Sequence, residues 1–230
     1  MRFETEAQLL LDFFNKIRGE EYSINIDNQG WHITCLDMNV LFTDAHLKPE
    51  VFSVYPKLDK IETFTINNSS KLLSFLNRFK GKIAIEFSGK NIVIATDKRQ
   101  ANITLGREPL DGELKMPEKV NYDKVFKIKT DMILEAIKNS DLLKNPVFYF
   151  EVKDDLFSIT TKTATDSFVE KETIDFEDAL SIFGDGIKEI FSNLSGEVQV
   201  GFENNFPLIV KYADKYSTVL YVLAPITENK

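Results

Sequence analysis

The sequence has a single cysteine, Cys35, and only two histidines, His32 and His46. One thiol excludes a disulfide scaffold, and it excludes a cysteine-based zinc site, which needs several thiolates. No apolar run approaches the length that crosses a bilayer. The opening Met-Arg-Phe-Glu-Thr-Glu lacks the apolar core of a signal peptide. These absences lead us to expect a soluble protein of a reducing compartment. The phosphate-cradling patterns Gly-x-x-x-x-Gly-Lys-Ser/Thr and Gly-x-Gly-x-x-Gly are missing, and Ser88-Gly89-Lys90 reads as a turn. Acids are abundant, but no pattern marks two of them as a buried pair for proton transfer. The expectation is a protein that is not an enzyme and uses no metal and no cofactor. His32, beside Trp31 in an alternating segment, reads as a surface histidine, and Cys35 as a small apolar strand residue.

Hydrophobic residues make up 43% of the 230 and charged residues 28%, so the chain can bury a sizeable core without disulfides. The net charge is −8, from 28 Lys and Arg against 36 Asp and Glu. Taken whole, that acidity argues against nucleic acid as a partner.

An internal repeat organises the chain. With Gly81 and Gly196 aligned, Leu72, Phe75, Leu76 and Phe79 fall on Ile187, Ile190, Phe191 and Leu194. Both sets have the i, i+3, i+4, i+7 spacing of one apolar helical stripe. An alternating strand follows each, Lys82–Phe87 and Glu197–Phe202, and then a second apolar strand, 91–95 and 208–212. Upstream, Leu10, Phe13, Phe14 and Ile17 mark one helix, and Ile133, Ala136 and Ile137 another. Each is followed by a hairpin, turning at Asn28-Gln29-Gly30 and at Lys153-Asp154-Asp155. The fold class read from this is α+β, with two similar domains that each set two helices on antiparallel strands. The expected domains are residues 1–107 and 120–230. The stretch 108–119 between them, with two prolines and dense charge, reads as an extended connector.

The four expected helices are 5–18, 67–82, 127–144 and 183–195. Together they carry +4, mostly from Lys71, Arg78, Lys80 and Lys82, which leaves −12 for the rest of the chain. Basic helices on an acidic protein suit contact with phosphates without base reading.

The repeat, the connector and the C-terminal segment together resemble a sliding DNA clamp of the proliferating cell nuclear antigen (PCNA) type. Pro207-Leu208-Ile209-Val210-Lys211-Tyr212 is similar to the family's Pro-Leu-x-Val-x-Tyr strand, and Leu223-Ala224-Pro225 to its terminal Leu-Ala-Pro. Leu114-Lys115-Met116-Pro117-Glu118 is similar to its Leu-x-Ile-Pro-Glu, and Leu36-Asp37 to its Met-Asp. The resemblance implies a head-to-tail homotrimeric ring, with helices lining a hole that encircles double-stranded DNA irrespective of sequence. It implies tethering of DNA polymerase and other replication and repair proteins, and loading by a clamp loader. The alternative within the family is one subunit of a heterotrimeric or specialised repair or checkpoint clamp. The implied location is the cytoplasm or nucleoid of an archaeal or viral system, or the nucleus of a eukaryotic one, with no membrane association.

Family roles fall on matching positions. The DNA-facing cations would be Lys16, Lys71 and Lys138, with Arg78, Lys80 and Lys82 added from the local charge count and Lys188 as the cation of the fourth helix. A pocket for partner peptides would be formed by Leu36, Val40, Leu41, Leu114, Met116, Pro117, Pro207, Leu223, Ala224 and Pro225. Subunits would join by edge strands, through Asn102, Ile103, Thr104 and Leu105 on one side and Phe168, Val169, Lys171, Thr173 and Ile174 on the other.

Overall fold

A computed structural model describes residues 1–37, 40–106, 116–118, 120–143, 146–163 and 166–226. The first repeat runs β1 (Arg2–Glu6), α1 (Ala7–Phe14), β2 (Tyr22–Asp27), β3 (Gly30–Asp37), β4 (Leu41–Leu47), β5 (Glu62–Ile66), α2 (Ser69–Leu76), β6 (Lys82–Ser88), β7 (Asn91–Ala95) and β8 (Gln100–Thr104). The second runs β9 (Phe126–Lys129), α3 (Thr130–Ser140), β10 (Val147–Lys153), β11 (Leu156–Lys162), β12 (Ser167–Thr173), β13 (Ala179–Phe183), α4 (Gly186–Phe191), β14 (Glu197–Gly201), β15 (Leu208–Ala213) and β16 (Ser217–Leu223). The strand orders also repeat. β1-β6-β7-β8 and β5-β2-β3-β4 in the first correspond to β9-β14-β15-β16 and β13-β10-β11-β12 in the second. The chain divides into two compact units, one of residues 1–37, 43–114 and 213–219, the other of residues 38–42, 115–212 and 220–230.

The equivalence of Gly81 and Gly196 has a physical basis. Both have positive φ, +70° and +86°, a conformation that is cheap only for glycine in a tight turn. Each carbonyl then accepts from the first amide of a helix: Ala7 N donates to Gly81 O at 2.9 Å, and Thr130 N to Gly196 O at 2.8 Å. The turn after the second helix of each repeat therefore caps its first helix. The hairpin turn at Asp154 and Asp155 has positive φ at both residues, the backbone of a tight two-residue loop. Gly30 is required by space as well as by φ, since a Cβ there would lie 2.1 Å from the Leu47 carbonyl oxygen.

All four helices are shorter than the apolar spacing predicts. Glu6 belongs to β1, where it pairs with Lys82 of β6. Lys127 and Lys129 belong to β9, whose alternating burial is that of a strand with one face covered. The Asn68 side chain accepts from Lys71 N at 2.7 Å and starts α2, which ends at Leu76 with Asn77 as its C-cap. Phe79 and Leu194 are buried beyond the ends of their helices and extend the apolar stripe into the turn. Counting stripe residues therefore overruns the hydrogen-bonded helix at its C-terminal end.

Each repeat has an aromatic core, with equivalent residues in equivalent contacts. Phe3 of β1 meets Trp31 of β3 edge-to-face, 5.2 Å between centroids. Phe126 of β9 meets Phe157 of β11 edge-to-face at 5.1 Å. Such pairs contribute about 0.5–1.5 kcal/mol beyond burial. Phe52, Tyr55 and Phe87 extend the first cluster, and Phe150, Phe176, Phe183 and Phe202 the second.

Candidate functional site

The shorter helices redistribute the charge. Within their hydrogen-bonded spans, α1 carries Asp12 alone and α2 Lys71 alone. In α3, Asp131 and Glu135 face Lys138, and in α4 Lys188 is followed by Glu189. The helices are thus not basic in themselves, and the expected +4 does not describe them. The surplus cations lie in the turn that follows α2 and in a hairpin turn next to it.

In the first repeat these two turns border an open cleft of about 480 Å³. Arg78, Lys80 and Lys82 lie on one side, and Lys98 and Arg99 on the other, with Asp97 the single acid of its lining. Thr96 Oγ1 accepts from Lys98 N and Arg99 N, at 3.3 and 3.1 Å, and fixes the β7–β8 turn. Arg99 Nη1 donates to the Arg78 carbonyl at 3.0 Å and ties the turns together. Lys82 Nζ lies 2.8 Å from Glu4 Oε2. The bonds from Lys82 and Arg2 hold the Glu4 carboxyl below its usual range. Arg78, Lys80, Lys98 and Arg99 are exposed. Among the described residues no ion pair engages them, so their field is directed at solvent. The charge count along the sequence misses Lys98 and Arg99, although adjacent basic residues in a short turn are a readable signal.

The other expected cations stand differently. Lys71 is exposed on α2. Lys16 is buried and its ammonium donates to Asp214 Oδ2 and to Ser217 Oγ. Burial alone would raise the Asp214 pKa, but the bonds from Lys16 and from the Tyr216 and Ser217 amides outweigh it and hold the carboxyl below its usual range. Lys16 therefore holds the β15–β16 turn instead of facing solvent. Lys138 Nζ is 3.6 Å from Glu135 Oε1, and Lys188 Nζ is 2.7 Å from Asp141 Oδ1.

The expected peptide pocket separates into surface and interior. Leu36, Val40 and Met116 are exposed, Pro117, Pro207 and Pro225 half-buried, and Ala224 exposed. Leu41 and Leu223 are buried in the core. Leu223 packs so closely that a Cβ at Gly186 would lie 2.5 Å from its Cδ1. Leu114 lies outside the described residues. The second unit exposes three further large apolar residues: Leu180, Phe206 and Ile226. Ala224 N donates to Val40 O, Ile226 N to Ile182 O, and Ser181 Oγ to Phe206 O, so backbone and side-chain bonds hold this surface together.

β8 and β12 each end a sheet. On β8, Asn102 and Thr104 are exposed while Ile103 and, just beyond, Leu105 are buried. On β12, Phe168, Val169, Lys171 and Thr173 are outward and Ile174, past its end, is buried.

No group of three or more His, Cys, Asp or Glu able to hold a metal occurs among the described residues. His32 Nε2 lies 2.6 Å from Asp44 Oδ1 on a half-exposed surface. Burial pushes the Cys35 thiol up to about 12 and leaves it unreactive. No helix among the described residues is long and apolar enough to cross a membrane.

No protein-family model matches the chain. No curated protein matches it by sequence. Solved structures do. A structure of the C-terminal region of FEN-1 bound to A. fulgidus PCNA matches at 19% identity and a TM-score of 0.81, over 100% of this chain and 99% of that one. PCNA of Entamoeba histolytica matches at 16% identity and a TM-score of 0.82, over 98% of each chain. A PCNA2–PCNA3 complex of Sulfolobus tokodaii matches at 16% and 0.79, over 99% and 100%. From first strand to last, the chain has the α+β fold of the PCNA sliding clamps.

Proposed function

We propose that the chain is a sliding clamp subunit: copies of it close into a ring around duplex DNA and tether DNA polymerase and other replication or repair proteins. The observation that carries this reading is the match to clamp structures over the full length of both chains. Ring closure would use the terminal strands β8 and β12, joined edge to edge between copies. Head-to-tail pairing of two different edges closes into a ring when the rotation per copy permits. DNA would meet Lys71, Arg78 and Lys80, all exposed on and after α2. A ring holds DNA by topology, so weak phosphate contacts suffice and permit sliding. Partner peptides would dock on the exposed apolar surface at Val40, Met116, Pro207, Ala224 and Pro225, with Phe206 and Ile226 enlarging it. An aromatic or aliphatic plug on such a surface supplies most of the affinity. No enzymatic role is assigned.

The test is native mass over a range of concentrations together with retention on DNA. The expected result is a species near three times 26.4 kDa that stays on nicked circular DNA and runs off after linearisation. A concentration-independent monomer that leaves both DNAs equally fast would refute the reading. The likeness to a complex of PCNA2 with PCNA3 supports a second version, a heteromeric ring. That version predicts a larger species only when sister subunits are added.

A further inference from the structure

The two repeats match element for element, but their charge does not. The turn after the second helix reads Arg78-Phe79-Lys80-Gly81-Lys82 in the first repeat and Asn193-Leu194-Ser195-Gly196-Glu197 in the second. The hairpin turn that follows is closed in each by one backbone bond, Thr96 N to Arg99 O and Asp214 N to Ser217 O. In the first it presents Lys98 and Arg99 to the cleft. In the second, Asp214 occupies the position of Thr96 with its carboxylate held by Lys16 and by two amides, and the turn's one exposed cation, Lys215, lies over the Tyr216 ring at 4.7 Å. The cations of α3 and α4 each face an acid, Glu135 and Asp141. Glu197, at the position of Lys82, accepts Lys127 at 2.7 Å.

We propose that the first repeat alone supplies the DNA contact, through a cradle of Arg78, Lys80, Lys98 and Arg99 that takes backbone phosphates of a duplex. A three-copy ring then grips DNA at three cradles, not six. The inference rests on the clamp reading for its biological setting but not for its measurement. Two features favour phosphate over a small organic anion. The cations come from two separate turns tied by the bond from Arg99 to the Arg78 carbonyl, so their field extends along the cleft. The cleft is also open to solvent along its exposed side chains, as passage along a polymer requires. Phosphate contact needs charge and donors without base-edge geometry, which these side chains supply.

The experiment measures binding of a fluorescent DNA duplex to the full chain by anisotropy over a series of salt concentrations. Log affinity falls with log salt by about 0.9 per phosphate neutralised. The double substitution Lys98→Gln with Arg99→Gln is expected to reduce that slope by about two, and Arg78→Gln with Lys80→Gln to do the same. Lys138→Gln with Lys188→Gln is expected to leave it unchanged. Glutamine at 99 keeps a donor for the Arg78 carbonyl, and thermal unfolding at the parent temperature shows that each variant is folded. An unchanged slope in the Lys98 and Arg99 variant would overturn the proposal, as would an equal loss in the Lys138 and Lys188 variant. A chain that proves monomeric and leaves circular DNA at once defeats the clamp reading, while the slopes on the short duplex still judge the cradle.

Discussion

The first and second repeats share backbone and differ in surface. Phe3 and Phe126, Trp31 and Phe157, Gly81 and Gly196 hold the same places and make the same contacts. Lys82 and Glu197 also hold the same place, yet one is a cation bridged to Glu4 and the other an anion bridged to Lys127. The ladder explains both facts. Lys82 pairs with Glu6, and Glu197 with Lys129, so the charges are exchanged across the same register. A cross-strand pair of opposite charge is equally good in either order. Buried positions admit little exchange, because packing fixes their volume. Exposed positions admit much, and a duplicated fold can therefore concentrate cations in one copy without altering its scaffold.

The largest test of this comparison is on the core. Phe3→Ala and Phe126→Ala should each lose about 3–5 kcal/mol, measured by urea unfolding. Both residues are buried and each stacks edge-to-face on its neighbour. Losses that differ by several-fold between the two would break the equivalence of the cores. Next comes the helix end. Lys16, near the end of α1, is equivalent to Asn139 in α3, whose Nδ2 reaches Glu170 at 3.3 Å. Lys16→Met should cost about 1–3 kcal/mol, because Asp214 and Ser217 lose a buried partner. Asn139→Ala should cost less, because it breaks a longer bond whose acceptor is a partly exposed carboxylate. Gly81→Ala and Gly196→Ala should each cost about 1–2 kcal/mol, because alanine resists positive φ even where nothing crowds it. Equal losses would confirm that the two turns are one device used twice.

The repeat, its hairpins and most of its strands are legible in the sequence because they rest on local signals: a period of two, a period near 3.6, and a glycine at each matched turn. Helix ends are not, since Phe79 and Leu194 continue the apolar stripe where the α-helix has given way to single-turn bonds, Phe79 N to Leu76 O and Leu194 N to Phe191 O. Arg78 and Lys80 emerge from counting charge along the chain. Lys98 and Arg99 escape that count because a hairpin brings them alongside, and a count along the sequence does not fold. Lys16 reads as solvent-facing because its partner, Asp214, stands 198 residues away. Leu41 and Leu223 match an apolar surface motif in sequence but sit in the core. Residue type alone does not separate a pocket from the core beneath it.

The smallest test is the pH dependence of stability, where the repeats differ again. The bond from Asp44 raises the His32 pKa, against a smaller effect of burial. Stability from this pair is therefore complete below the unfolded histidine value of about 6.5 and is lost as pH rises through the folded value. Asp214 is lowered, so its contribution is complete above the unfolded aspartate value of about 3.9 and is lost as pH falls through the folded one. Ser158, equivalent to His32, lies across from Lys171 on the β11–β12 ladder, so the second repeat has no histidine at this place. Asp44→Asn should then abolish the decline above neutrality, which for a half-exposed pair amounts to about 0.2–1 kcal/mol. Lys16→Met should flatten the acid limb and leave the neutral one in place. Urea midpoints measured from pH 4 to 9 would show both. A decline above neutrality that survives Asp44→Asn would mean that a group other than His32 titrates there, and the first repeat would lose its claim to this difference.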